Sequence, residues 1–141
     1  MFSYYGSKSK VIDLYPAPKY GKIIEPFAGS ARYALKYWDR DVLLVDKYEV
    51  IVKVWHYLQA ASPADILGLP RMKKGDDIRN YNLSEGATLL LSFISGGGVN
   101  TPKWTVSKFG EYDHGNQGVY KRISEDLPKI KHWTIQLDSF D

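Results

Sequence analysis

The chain has 141 residues, 44% of them hydrophobic and 14% aromatic, which suffices to bury one real core, so it reads as a single domain spanning 1–141. It has no cysteine, which excludes disulfide staples, thiolate metal sites and a Cys nucleophile. No apolar run approaches a membrane span and Met1-Phe2-Ser3-Tyr4-Tyr5 has no apolar signal core, so a cytoplasmic location and no membrane partner are expected. The net charge of +3 lies wholly in residues 71–132, where ten Lys/Arg face seven Asp/Glu. Such a stretch suits phosphate contacts and equally suits a solvated surface.

In chain order, Val11, Ile12 and Leu14 share one face of a helix over Ser7–Leu14, which Pro16-Ala17-Pro18 terminates. Lys22–Glu25 reads as a short buried strand, Gly29–Trp38 as a helix burying Ala31, Ala34 and Leu35, and Asp41–Asp46 as an almost continuously apolar parallel strand. Val50, Ile51, Val54 and Leu58 form a helical stripe running to about Ala60, and Ser62-Pro63 caps a short helix ending at Leu67. Residues 71–82 have no clear period and suggest an exposed connection. Ser84 caps a buried helix up to Ile94 that Gly96-Gly97-Gly98 ends. Residues 96–117 form a long loop rich in Gly, Asn, Thr and Pro, expected to be mobile because isolated aromatics bury too little surface to order it. Val119–Leu127 reads as a helix stopped by Pro128, and His132–Asp138 as a strand with Trp133, Ile135 and Leu137 on one side.

The most informative string is Ile23-Ile24-Glu25-Pro26-Phe27-Ala28-Gly29-Ser30-Ala31, a strand, a tight turn of small residues and a helix start. Ala28 and Gly29 let a ligand approach backbone closely. Val42-Leu43-Leu44-Val45-Asp46 ends in a carboxylate, where a doubly wound sheet presents an acid to a ribose diol. Together these are the front half of a nucleotide-cofactor site. Taken singly, the turn also suits a structural connection, and Asp46 a residue that merely caps the next helix.

Glu25–Ala31, with Phe2-Ser3-Tyr4-Tyr5-Gly6-Ser7-Lys8 and Val45-Asp46, resembles the Dam-like, alpha-group adenine-specific N6 DNA methyltransferases. Less specific likeness continues through Trp55-His56-Tyr57-Leu58 and from Tyr120 to Asp138. The resemblance implies a partial Rossmann-like α/β methyltransferase fold with a mostly parallel sheet, and S-adenosyl-L-methionine as cofactor. It implies that Tyr4 and Lys8 contact the methionyl part, that Phe27, Ala28 and Gly29 line the pocket, and that Asp46 binds the ribose hydroxyls. Asp138 and Phe140 would serve the adenine, as acceptor and stacking ring, or else form a plain strand end.

The same likeness makes 96–117 a DNA-contacting segment, in which Lys103 and Lys108 would meet phosphates and Trp104 and Tyr112 would stack or wedge at a flipped base. An aromatic-tethered surface loop is the alternative. His56, His114 and His132 lack metal-ligand spacing, so no metal is expected. The family's catalytic Asp-Pro-Pro-Tyr does not occur in the sequence, so no catalytic residue is assigned. The expectation is a cofactor-binding portion, inactive alone or completed by a second polypeptide. The rival is a non-enzymatic DNA- or protein-binding module on the same scaffold.

Overall fold

Two apolar runs separated by a short helix pair in parallel: Lys22–Pro26 (β1) lies beside Asp41–Asp46 (β2), with Ile23 opposite Val42 and Glu25 opposite Leu44. Thr134–Leu137 (β3) adds on the other side of β2, also parallel, so the order is β1-β2-β3. The computed structural model describes residues 21–26, 31–96, 102–112 and 118–137, and within them the chain is α/β with this small parallel sheet and five helices. β2 is the buried strand, since Val42, Leu44 and Val45 are all shielded from solvent. β1 alternates instead, with Ile23 and Glu25 buried and Ile24 exposed.

The connection between β1 and β2 carries Arg32–Lys36 (α1), shorter than the helix expected over Gly29–Trp38. Gly29 and Ser30 lie outside the described residues, and after Lys36 the chain turns through Tyr37 to Arg40. Ala31 precedes α1 in the left-handed region at φ 53°, a conformation that costs a non-glycine residue about 1–2 kcal/mol. Its side chain offers no cap. The buried Glu25 carboxylate supplies one, with Oε2 accepting the Ala34 N–H at 3.0 Å.

Glu49–Ala60 (α2) buries Ile51, Val54 and Leu58 of the expected stripe, with Val50 half-buried, and buries Val52 and Trp55 besides. Its last carbonyls, which no helical N–H can reach, are met by Lys131 Nζ: it donates to Gln59 O at 2.6 Å and to Ala61 O. Gln59 Nε2 in turn donates to Trp133 O at 2.6 Å, tying α2 to the approach of β3. Pro63–Leu67 (α3) starts with a reciprocal cap: Ser62 Oγ accepts the Asp65 N–H at 3.2 Å, and Asp65 Oδ2 accepts the Ser62 N–H at 2.9 Å. Glu85–Ile94 (α4) is capped by Ser84 and buried on all sides from Leu89 to Ile94. Its buried Ser92 hydroxyl is satisfied within the helix by Leu89 O at 2.5 Å.

Val119–Ile130 (α5) runs through Pro128 instead of stopping there. Proline removes a single N–H near the end of the helix, and Leu127 and Ile130, both fully buried, hold the last turn against the core. β3 is likewise shorter than the expected His132–Asp138. Trp133 precedes the strand, buried, with its indole Nε1 donating to Trp38 O at 3.1 Å. Leu137 is 49% exposed, so the expected apolar side of β3 ends at Ile135. No described helix is long and apolar enough to cross a membrane.

Candidate functional site

The parallel register brings the carboxyl ends of three adjacent strands to one edge of the sheet: Pro26 lies opposite Val45, and Asp46 opposite Leu137. In open α/β sheets that edge is where ligands bind. Asp46 ends the central strand with its side chain buried, and Oδ1 accepts the Tyr48 N–H at 2.9 Å at the entry to α2. Oδ2 accepts no hydrogen bond among the described residues and is not sealed from solvent. One oxygen therefore performs the helix-entry role, while the other stays available.

The second notable group at this edge is Arg32, one residue past the β1–α1 turn. Its Nε–H is buried and has no hydrogen-bond partner among the described residues. Buried donors of this kind are rare in native proteins, because desolvation without a bond costs about 1–3 kcal/mol. Nothing in the sequence spacing of Arg32 distinguishes it from a surface cation. Tyr4, Lys8, Phe27, Ala28, Gly29, Asp138 and Phe140 lie outside the described residues. Phe27–Gly29 follow β1 in the sequence, and Asp138 and Phe140 follow β3.

The predicted DNA-contacting residues form a second locus. Lys103 and Lys108 are exposed, and neither side chain has an ion pair among the described residues. Trp104 is half-buried against the core with the Arg79 guanidinium 5.5 Å from its ring centroid. Tyr112 is half-buried too, with Arg71 at 4.7 Å and the Tyr120 ring at 5.4 Å.

Residues 102–112 are anchored, contrary to the expectation of a loop with too little packing to order itself. Lys103 N–H donates to Ser92 O at 2.9 Å and Ser107 N–H to Ser95 O at 3.0 Å, so this segment satisfies carbonyls at the end of α4. The Ser95 hydroxyl donates to Lys103 O. A second set of bonds joins the segment to residues 72–78: Gly75 N–H to Val106 O at 2.9 Å, Val106 N–H to Asp76 O at 2.8 Å, Ile78 N–H to Trp104 O at 2.9 Å and Tyr112 N–H to Met72 O at 3.0 Å. Asp77 and Thr105 form an antiparallel bridge. The stretch read as an exposed connection thus contains a 3-10 turn at Ile78–Tyr81 and half of a ribbon. These pairings join residues about thirty apart and leave no periodic signal in either segment.

Between α2 and α4 lies an open depression of about 400 Å³ lined by Lys53, His56, Tyr57, Ser84, Glu85 and Gly86. Lys53 there is held by Glu85 at 2.9 Å and Glu49 at 3.4 Å, which keeps its ammonium charged and occupied. His132 Nε2 pairs with Arg40 O at 2.9 Å. Among the described residues no group of His, Cys, Asp or Glu is arranged to hold a metal ion.

Comparison of the sequence with protein-family models finds no match, and comparison with curated proteins finds none either.

Proposed function

We propose that this chain is the S-adenosyl-L-methionine-binding portion of a DNA adenine-N6 methyltransferase. The observation that supports it most is Asp46: a buried carboxylate ending the central parallel strand, one oxygen tied to Tyr48 N–H and the other open. A ribose diol needs such an acceptor. The buried Nε–H of Arg32, without a partner among the described residues, adds a donor suited to an anionic end of the same ligand. These residues fit a cofactor carrying both a diol and a carboxylate. When bound, that cofactor would supply an electrophilic methyl group, and the chain's own contribution would be to hold and orient it.

The experiment is calorimetric titration with S-adenosyl-L-methionine and its demethylated product. Binding by the wild-type chain is expected, with affinity falling roughly ten- to a hundredfold in Asp46→Ala, as loss of a charge-assisted contact worth about 1.5–3 kcal/mol requires. No binding by the wild-type chain, or equal binding by the variant, would overturn the reading.

A second reading rests on the anchored cationic ribbon: a non-enzymatic DNA-binding module on the same scaffold. The sequence contains no Asp-Pro-Pro-Tyr, so cofactor binding and methyl transfer are separate questions. The titration separates the readings, because only the first requires the cofactor to bind.

A further inference from the structure

The anchored ribbon has two differently composed sides. From Lys103 to Val106 burial alternates: Lys103 and Thr105 are exposed, Trp104 is half-buried and Val106 is buried. Val106 and Ile78 face the core, so the opposite side presents Lys103 with Thr105 to solvent. Lys73 and Lys74 belong to the partner segment and are exposed, and like Lys103 and Lys108 their ammonium groups have no ion pair among the described residues.

The acids nearby are held by hydrogen bonds, and Asp77 by an ion pair as well. Asp76 Oδ2 accepts from Tyr81 Oη at 2.7 Å, Asp77 is bound by Arg79 through both carboxylate oxygens, and Glu111 Oε2 accepts the Lys74 N–H at 2.8 Å. Four exposed lysines on a ribbon fixed by backbone hydrogen bonds outnumber the neighbouring carboxylates of Asp76 and Glu111, which keep their charge when a phenol or a backbone amide donates to them, so the ribbon is net cationic and preformed, and binding would need little further ordering. Next to Lys108 stands Phe109, 69% exposed. Its turn is locked from behind: Gly110 N–H donates to Ser107 O at 3.0 Å, and a Cβ on Gly110 would lie 1.8 Å from Ser95 O. An aromatic ring is therefore held out in water by a rigid support, among free cations. Trp104 and Tyr112 have no such free ring, since each packs on the core beneath an arginine.

We infer that this ribbon is a preformed nucleic-acid-binding surface in which Lys73, Lys74, Lys103 and Lys108 neutralise phosphates and Phe109 is the ring that stacks on an unpaired base. The inference deepens the DNA partner of the proposed function and rests on that reading for the identity of the nucleic acid. Trp104 and Tyr112 act as the base of the platform, each clamping the arginine above it. Backbone contacts of this sort bind with little sequence preference, and stacking favours single strands or extruded bases.

The test is fluorescence anisotropy of labelled single-stranded and duplex DNA, without S-adenosyl-L-methionine, across a salt series. Lys103→Ala with Lys108→Ala is expected to weaken both complexes and to lower the salt slope by about 0.9 per lysine on duplex and about 0.7 on the single strand. Phe109→Ala is expected to weaken single-strand binding roughly tenfold while leaving the salt slope unchanged. All three positions are exposed, so these variants should retain the wild-type fold, which circular dichroism checks. Absence of DNA binding at low salt, or unchanged affinity in the lysine variant, overturns the inference. So does effective competition by polyglutamate together with wild-type DNA affinity in Phe109→Ala, which would identify an acidic polypeptide as the partner. Cofactor titration of the same variants keeps the two readings apart: it should be unaffected whichever way the DNA result falls.

Discussion

Glu25 Oε2 accepts the backbone N–H of Ala34 across the β1–α1 turn, at 3.0 Å and out of solvent. A strand carboxylate thus performs for α1 what an N-cap side chain normally does. It has to, because the preceding Ala31 has no polar atom to offer. α1 has five residues, far below the length at which a helix is stable by itself, so this bond and the burial of Ala34 hold the helix against β1. The bond also links β1 to the helix carrying Arg32, so the carboxyl edge of the sheet inherits its geometry from a structural carboxylate.

Glu25→Ala is therefore expected to destabilise the chain by about 1–3 kcal/mol, the cost of losing a charge-assisted cap in a buried setting. Glu25→Gln retains an acceptor oxygen and should recover part of that loss. Urea denaturation of the two variants checks both statements. Equal stability of wild type and Glu25→Ala would mean that the bond contributes nothing.

Gly110 packs directly on the C-terminal end of α4, where a Cβ would penetrate the Ser95 carbonyl at 1.8 Å. Gly110→Ala must displace the turn, and overpacking of this type costs roughly 1–3 kcal/mol. The distinguishing readout is local: amide exchange at Lys103 and Ser107, whose N–H groups bond α4 carbonyls, should accelerate more than exchange in β2. Uniform acceleration across the chain would show a global effect instead.

Tyr81 and Tyr120 predict the alkaline limit of stability. Burial raises the Tyr81 phenol above its ordinary value of about 10, and the hydrogen bond to Asp76 raises it further. Burial also raises Tyr120, whose hydroxyl donates to Pro70 O at 2.5 Å, with the neighbouring Tyr81 and Tyr112 adding to the effect. A folded pKa above the unfolded one favours the neutral form in the native state. Its stabilisation is present in full below pH ~10 and is lost as pH rises from there toward the folded value. Chemical denaturation from pH ~8 upward should show stability falling above pH ~10, less steeply in Tyr120→Phe and Tyr81→Phe. A wild-type profile flat through that range would contradict the prediction.

What the sequence determined by itself was whatever local periodicity and local caps control. β2 occupies Asp41–Asp46 as expected, because a strand buried on both faces is a continuous apolar run, and α3 and α4 begin directly after Ser62 and Ser84, whose hydroxyls cap them. The position of Asp46 at a strand end was legible for the same reason. The tertiary structure decided everything that depends on pairing between distant residues. Ser95 and Ser107, or Asp77 and Thr105, carry no mark of each other, yet their contacts convert an apparent loop into a rigid ribbon. Glu25 looks like no more than the acidic end of a strand until Ala34 is brought to it, and Phe109 is one aromatic among several until burial separates the exposed ring from those packed under arginines. Hydrogen bonds and burial are properties of pairs and of surfaces, whereas a sequence displays residues singly and in order. Long-range partnership is therefore set by the fold's global packing, which no local pattern encodes.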